Sequence, residues 1–192
     1  MKNAKVDVVA AILLFLLIWG CVAGTQQTMK NYYRALDNTD PKKTALLKSG
    51  SAAEKKAIEK FYTFYEVFSE ERIRRGVRDL YAADAYFRDG YREVEGIDNI
   101  EPYFIATTKA IHECTFDIQD WSSHEGNYYF RWIMKLRLKR DNDDLIEQVG
   151  MSHVRFNPEG KIIFHQDYWD TSVVFERVPV VGGIIRWVKE RF

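Results

Sequence analysis

The spacing of apolar residues changes several times along the chain. From Val8 to Gly24 the sequence is uncharged, and its centre reads AAILLFLLIWG. Residues 25–53 are mostly polar, hold no sustained period, and contain breakers at Asp40-Pro41 and Ser49-Gly50-Ser51. A helical period then begins. Ile58, Phe61, Tyr65 and Phe68 step by three, four and three, so they share one helix face, and Gly76 ends or bends that helix. Val77 to Asp84 predicts a second, shorter helix with Leu80 and Tyr81 on its apolar side. Ala85 to Asp89 reads as extended. Ile97, Ile100, Phe104, Thr107 and Ile111 predict a third helix. Asp98 and Glu101 have the spacing of a capping box, and Pro102 suits only the first turn.

Beyond Ile111 the period falls to two. Cys114 to Trp121 predicts one strand and Asn127 to Lys139 the next. In the latter, Tyr128, Phe130, Trp132, Met134, Leu136 and Leu138 make one apolar face, while the other face is largely basic. That alternation marks a half-buried antiparallel strand. Leu145 to Phe156 and Lys161 to Trp169 follow, joined by Asn157-Pro158-Glu159-Gly160, which suits a type I turn. Helices first and strands after predict an α+β fold, with helices covering one face of a curved antiparallel sheet. The folded domain is expected over 54–178, after a polar tether over 25–53.

The ends of the chain suggest a membrane. Lys2 and Lys5 precede the apolar run, as in a secretory signal. Ile18-Trp19-Gly20-Cys21 resembles a lipobox, which would make Cys21 a lipidation site. Alternatively, residues 1–24 stay as an uncleaved anchor, at the short end of the roughly 17–25 residues that span a bilayer. Either way the domain is expected on the extracytoplasmic (periplasmic) side, membrane-associated. In the tail over 179–192, Ile184, Ile185, Trp187 and Val188 alternate with Arg186, Lys189 and Arg191. Such an amphipathic segment can lie on an anionic membrane or pack on its own domain or a twin.

Composition narrows the chemistry. Lys plus Arg equals Asp plus Glu, 28 each, so no field steers nucleic acid to the chain. Aromatic residues make up 15% of the chain, which predicts rings in a core or around a pocket. Two cysteines, Cys21 and Cys114, form neither a disulfide framework nor a zinc spacing. With no phosphate-cradling glycine loop and no nucleophile elbow, neither metal nor other cofactor is expected.

The order of elements, the segment Tyr81-Ala82-Ala83-Asp84-Ala85-Tyr86-Phe87-Arg88-Asp89 and the helix led by Gly96 resemble the nuclear-transport-factor-2-like, or SnoaL-like, superfamily. The resemblance implies a cone: helices close one end of a bent sheet around a pocket. By similarity to bacterial ketosteroid isomerases, Asp89 falls on the proton-shuttling base and Tyr65 on the oxyanion-hole tyrosine. Ser152 stands where those enzymes carry a protonated Asp, and Trp169 on a pocket-lining Trp. The segment His165 to Asp170 is similar to a stretch of limonene-epoxide hydrolases and places their catalytic Asp on Asp167. Their Arg-x-Asp pair is absent from the neighbouring strand, which reads Arg131-Trp132-Ile133-Met134. The candidate catalytic residues are therefore Asp89, Asp167, Tyr65 and His165. Trp169, Ser152, Trp132 and Met134 are the candidate ligand contacts. Three roles stand open: a pocket for a small, largely apolar molecule, an isomerase- or hydrolase-type enzyme with Asp89 or Asp167 as base, and a structural homodimer module.

Overall fold

The computed structural model describes residues 27, 29–45, 47–139 and 144–191. A helix over residues 29–38 belongs to a unit ending at Asn38, and a second unit runs from Thr39 to Phe192. The apolar run from Val8 to Gly24, and with it Cys21, lies outside the described residues. Among those described, no helix is long and apolar enough to cross a membrane.

The domain opens on α1 (Ala52–Tyr65). Ser51 caps it by accepting from the Glu54 N–H at 3.1 Å, and the Glu54 carboxylate reaches back to the Gly50 N–H at 2.6 Å. This is a capping box displaced by one residue on its return arm. Ala57, Ile58, Phe61, Phe64 and Tyr65 form the buried stripe. The single long helix expected up to Gly76 is in fact two. The Phe68 N–H turns away to the Cys114 carbonyl of a strand, and Ser69 caps a new helix, α2 (Glu70–Leu80). Gly76 sits inside α2, against Phe64.

A second expectation fails at Tyr81. The chain leaves the helix there: the Tyr81 N–H still donates to Val77, but its own φ and ψ are −104° and 144°. Tyr81 thus begins β1 (Tyr81–Arg88) rather than extending a helix to Asp84. After β2 (Glu93–Glu95), α3 (Ile97–Thr108) starts from Gly96, whose φ of 79° suits glycine. Asp98 and Glu101 do not cap α3. Both take the Arg78 guanidinium, at 2.8 and 2.7 Å. Pro102 lies past the first turn, inside α3, which tertiary burial of Ile100 and Phe104 carries across the missing donor.

The strands β3 (Ile111–His124), β4 (Asn127–Leu138), β5 (Leu145–Phe156) and β6 (Ile162–Trp169) complete a six-stranded sheet of order β2-β1-β6-β5-β4-β3. It is mixed, not wholly antiparallel: β1 and β6 run parallel. A parallel pair needs a long crossover, and here everything from β2 to β5 lies between its two strands. The β4 alternation read from the sequence holds, with Tyr128, Phe130, Trp132, Met134 and Leu136 all buried. Register shifts in β3, at Ile111/Glu113 and Ile118/Asp120, are bulges of the kind that curve a sheet. A large core joins α1, α2 and α3 to one end of the concave face. A smaller one gathers Cys114, Trp132, Met134, Leu136 and Ile146 at the other. Beyond β6 come α4 (Ser172–Phe175) and α5 (Val181–Lys189), the latter exposing Ile184 and Trp187.

Candidate functional site

A cavity of about 240 Å³ opens between the concave face and α3. Tyr65 comes to it from α1, Asp89 from the end of β1, Trp132 and Met134 from β4, and Asp167 and Trp169 from β6. These are six of the eight residues selected from the sequence. Thr107 and Tyr103 of α3 and Phe116 of β3 add to the walls. The remaining two, His165 and Ser152, are buried behind Asp167 and hold it.

Cross-strand register explains the arrangement. Phe130, Ser152 and Asp167 pair across β4, β5 and β6, and the next row is Trp132, Gly150 and Trp169. Glycine in the middle of that row leaves room for an indole. A Cβ on Gly150 would lie 2.1 Å from the Trp132 ring. Trp132 therefore lies over Gly150 and donates its Nε1–H to Ser152 Oγ at 3.0 Å.

That bond fixes the direction of a longer chain. Indole nitrogen only donates, so Ser152 gives its own proton onward to Asp167 Oδ1, at 2.6 Å. Asp167 Oδ1 also meets His165 Nε2 at 2.8 Å. With Asp167 a carboxylate, Nε2 carries a proton. In the neutral imidazole, Nδ1 then accepts from the Tyr81 hydroxyl at 2.5 Å, and Tyr65 donates to Tyr81 at 2.6 Å. The donors so ordered run one way, toward Asp167. Burial holds the Tyr65 and Tyr81 phenols well above their ordinary pKa, and Asp167's charge adds to this, so both keep their protons. Asp167 Oδ2 accepts no hydrogen bond from the described residues.

Asp89 is satisfied differently. Oδ1 accepts the N–H groups of Tyr91 and Arg92, at 2.7 and 2.8 Å, and Oδ2 accepts the Tyr103 hydroxyl at 2.6 Å. Burial nevertheless raises its pKa. The three donors oppose that shift, and the nearby Asp167 reinforces it. Cys114 also lines the cavity, and burial pushes its thiol up to about 12, so it is an inert apolar wall. His153 is not part of the lining: it stacks on Tyr129 and meets the Asn127 amide oxygen at 2.8 Å.

Sequence reasoning missed Tyr81 and Tyr103. Tyr81 was masked by its assignment to a helix. Tyr103 lay beside Phe104 in a helical face counted through Phe104 and Thr107, although Tyr103 and Thr107 are one turn apart and share the cavity.

Helices closing one end of a curved mixed sheet around such a hollow define the nuclear-transport-factor-2-like cone. Residues 61–165, over half the chain, match the model of the SnoaL-like domain, and the chain belongs to that family. No curated protein matches it. Solved structures of the same fold include a nuclear-transport-factor-2-like protein of unknown function from Burkholderia pseudomallei (13% identity, TM-score 0.57, covering 68% of this chain and 100% of that one). Another is a protein with a ketosteroid-isomerase-like fold from Catenulispora acidiphila, in complex with trimethylamine (15% identity, TM-score 0.54, covering 63% and 90%). A SnoaL-like family member from Agrobacterium tumefaciens shares 19% identity at a TM-score of 0.50, covering 62% and 99%.

Proposed function

We propose that the domain is a receptor for a small, largely apolar molecule whose one hydrogen-bond-donating end meets Asp167. The observation that carries this reading is the cavity itself: about 240 Å³, walled by rings and aliphatic side chains, with a carboxylate oxygen left without a protein donor among the described residues. That volume lies below the roughly 300–1,000 Å³ of pockets for drug-sized ligands, so the ligand is smaller. The space is not filled by Trp132, Met134 and Trp169, which disfavours a purely structural dimer module. The proposal keeps the domain at a membrane on its extracytoplasmic side, a placement resting on the sequence of residues 1–24. In support, α5 exposes Ile184 and Trp187 near the basic Arg186 and Arg191.

The test is a calorimetric titration of the full chain with cyclohexanol, a compact ring with one donor. Saturable binding that disappears in Thr107→Phe, which fills the cavity from α3, supports the reading. Non-saturating uptake that ignores the substitution, by cyclohexanol and by its amine analogue alike, removes it.

A second reading, catalysis, is favoured by the directional donor chain. A base needs an available oxygen and a group that steadies the rest of the carboxylate. Asp167 has Oδ2 for the first and Ser152 with His165 for the second. Names among the fold relatives include isomerase and polyketide cyclase. In this reading Asp167 accepts the proton on Oδ2, while the Tyr65–Tyr81–His165 donor chain steadies the carboxylate from behind.

A further inference from the structure

The cavity contains an imbalance of charge. Arg88 and Gln166 pair on the parallel strands β1 and β6, and Asp89 and Asp167 are the residues that follow them. Two carboxylates thus leave neighbouring positions of adjacent strands, and both line the same cavity. Lys, Arg and His are absent from the described lining. The Arg92 guanidinium lies over the Tyr103 ring, 5.5 Å from its centroid, and is not part of the wall. Donors ease the pair: Tyr103 and two backbone N–H groups on Asp89, Ser152 and His165 on Asp167. Side by side in an apolar chamber, two anions still disfavour each other's charge. A proton or a cation relieves what the donors leave.

The walls suit a cation. Tyr91 and Trp169, which line the cavity together with both acids, meet edge to face, 5.5 Å between centroids, and the Tyr103 hydroxyl donates to Asp89. Phe68, Phe104 and Phe116 continue the wall inward. Ring faces carry negative potential and attract an ammonium group once it is out of water. An anionic ligand would meet repulsion from both carboxylates and find no compensating donor charge.

We propose that the cavity selects a small lipophilic cation, an alkylammonium whose head lies beside Asp89 and Asp167 and whose hydrocarbon part fills the ring-lined chamber. This rests on the receptor reading above and names its ligand class. The ammonium supplies N–H donors to Asp167 Oδ2 and positive charge to both acids. The hydrocarbon displaces water from the apolar wall. Neutral molecules of the same shape gain only the second effect.

Cyclohexylamine, protonated at neutral pH, and cyclohexanol form a matched pair for the test, titrated calorimetrically into the full chain at low salt. The ammonium is expected to bind at least about tenfold tighter, the equivalent of about 1.4 kcal/mol. Asp89→Asn and Asp167→Asn, each checked for fold by near-ultraviolet circular dichroism, bring that ratio toward one. In the unaltered chain, added sodium chloride weakens the ammonium and leaves cyclohexanol unchanged. Cyclohexanol binding as tightly as the ammonium, or a preference insensitive to salt or to both substitutions, overturns the cation and leaves the receptor standing. Failure of both probes to bind removes the receptor reading, and the cation with it.

Discussion

Asp89 and Asp167 are both carboxylates at one cavity, yet their oxygens have different amounts left to give. Each Asp89 oxygen already has a donor, whereas Asp167 concentrates Ser152 and His165 on Oδ1. If the cavity performs proton transfer, Asp167 is therefore the base and Asp89 a neighbour that tunes it. A small ring with an acidic C–H tests this without knowledge of the natural substrate. In 5-nitrobenzisoxazole, removal of the C3 proton breaks the N–O bond and leaves a nitrile and a phenolate, which absorbs in the visible. Asp167→Asn should lower that rate by about 10²-fold or more, within the usual worth of a general base. Asp89→Asn should change it far less. Equal, small losses in both variants would remove the catalytic reading.

Among the elements, β5 shapes the hollow by an omission. Gly150 sits between Trp132 and Trp169 in the sheet, and the Trp132 ring occupies the place of its side chain. Gly150→Ala should push the indole off Ser152 and destabilise the fold by about 1–3 kcal/mol, the usual cost of overpacking a core. Urea denaturation measures the loss, and a shifted Trp132 indole N–H resonance reports its origin. An unaltered resonance with unaltered stability would contradict the packing described. The alternation that exposed β4 and β5 to sequence reading reflects a sheet half in a core, where period two is enforced by burial. The breaks at residues 66–69 and at Tyr81 were not legible in this way. Phe68 continues the α1 spacing by coincidence: its backbone pairs with Cys114, 46 residues along the chain, and no local pattern encodes that partner. The Asp98 and Glu101 carboxylates likewise follow a capping spacing but answer to Arg78 on another helix.

For the whole molecule, the sheet separates two polar systems with opposite consequences for pH. On the concave face lies the acidic cavity. On the other, His153 is packed on Tyr129 and Phe164. Burial, with the Arg155 cation nearby, lowers its pKa from the usual 6.5 to about 4. The unfolded chain therefore binds this proton first as the pH falls. Stability due to neutral His153 is full above 6.5 and is lost as the pH drops toward about 4. The urea midpoint of the native chain minus that of His153→Gln should be flat above neutrality and decline through that window. A flat difference down to pH 4 would show that the imidazole is not held neutral. The helices-then-strands order sufficed for the α+β class. The parallel β1–β6 pair did not show in it, because crossover topology leaves no period in the sequence. Of the site, the face shared by His165, Asp167 and Trp169 was readable from alternation. The direction of the hydrogen bonds was not, since it depends on Tyr81 and Trp132 arriving from separate elements.

The account stands on a hollow, walled in part by Trp132 and Trp169, that takes up small molecules. Two-dimensional ¹H–¹⁵N NMR of the indole N–H signals during titration with cyclohexylamine measures this directly. The Trp132 and Trp169 signals should move together and saturate, while those of Trp121 and Trp187, exposed elsewhere, stay in place. Signals of Trp132 and Trp169 that never move, or that move no more than those of Trp121 and Trp187, would contradict it.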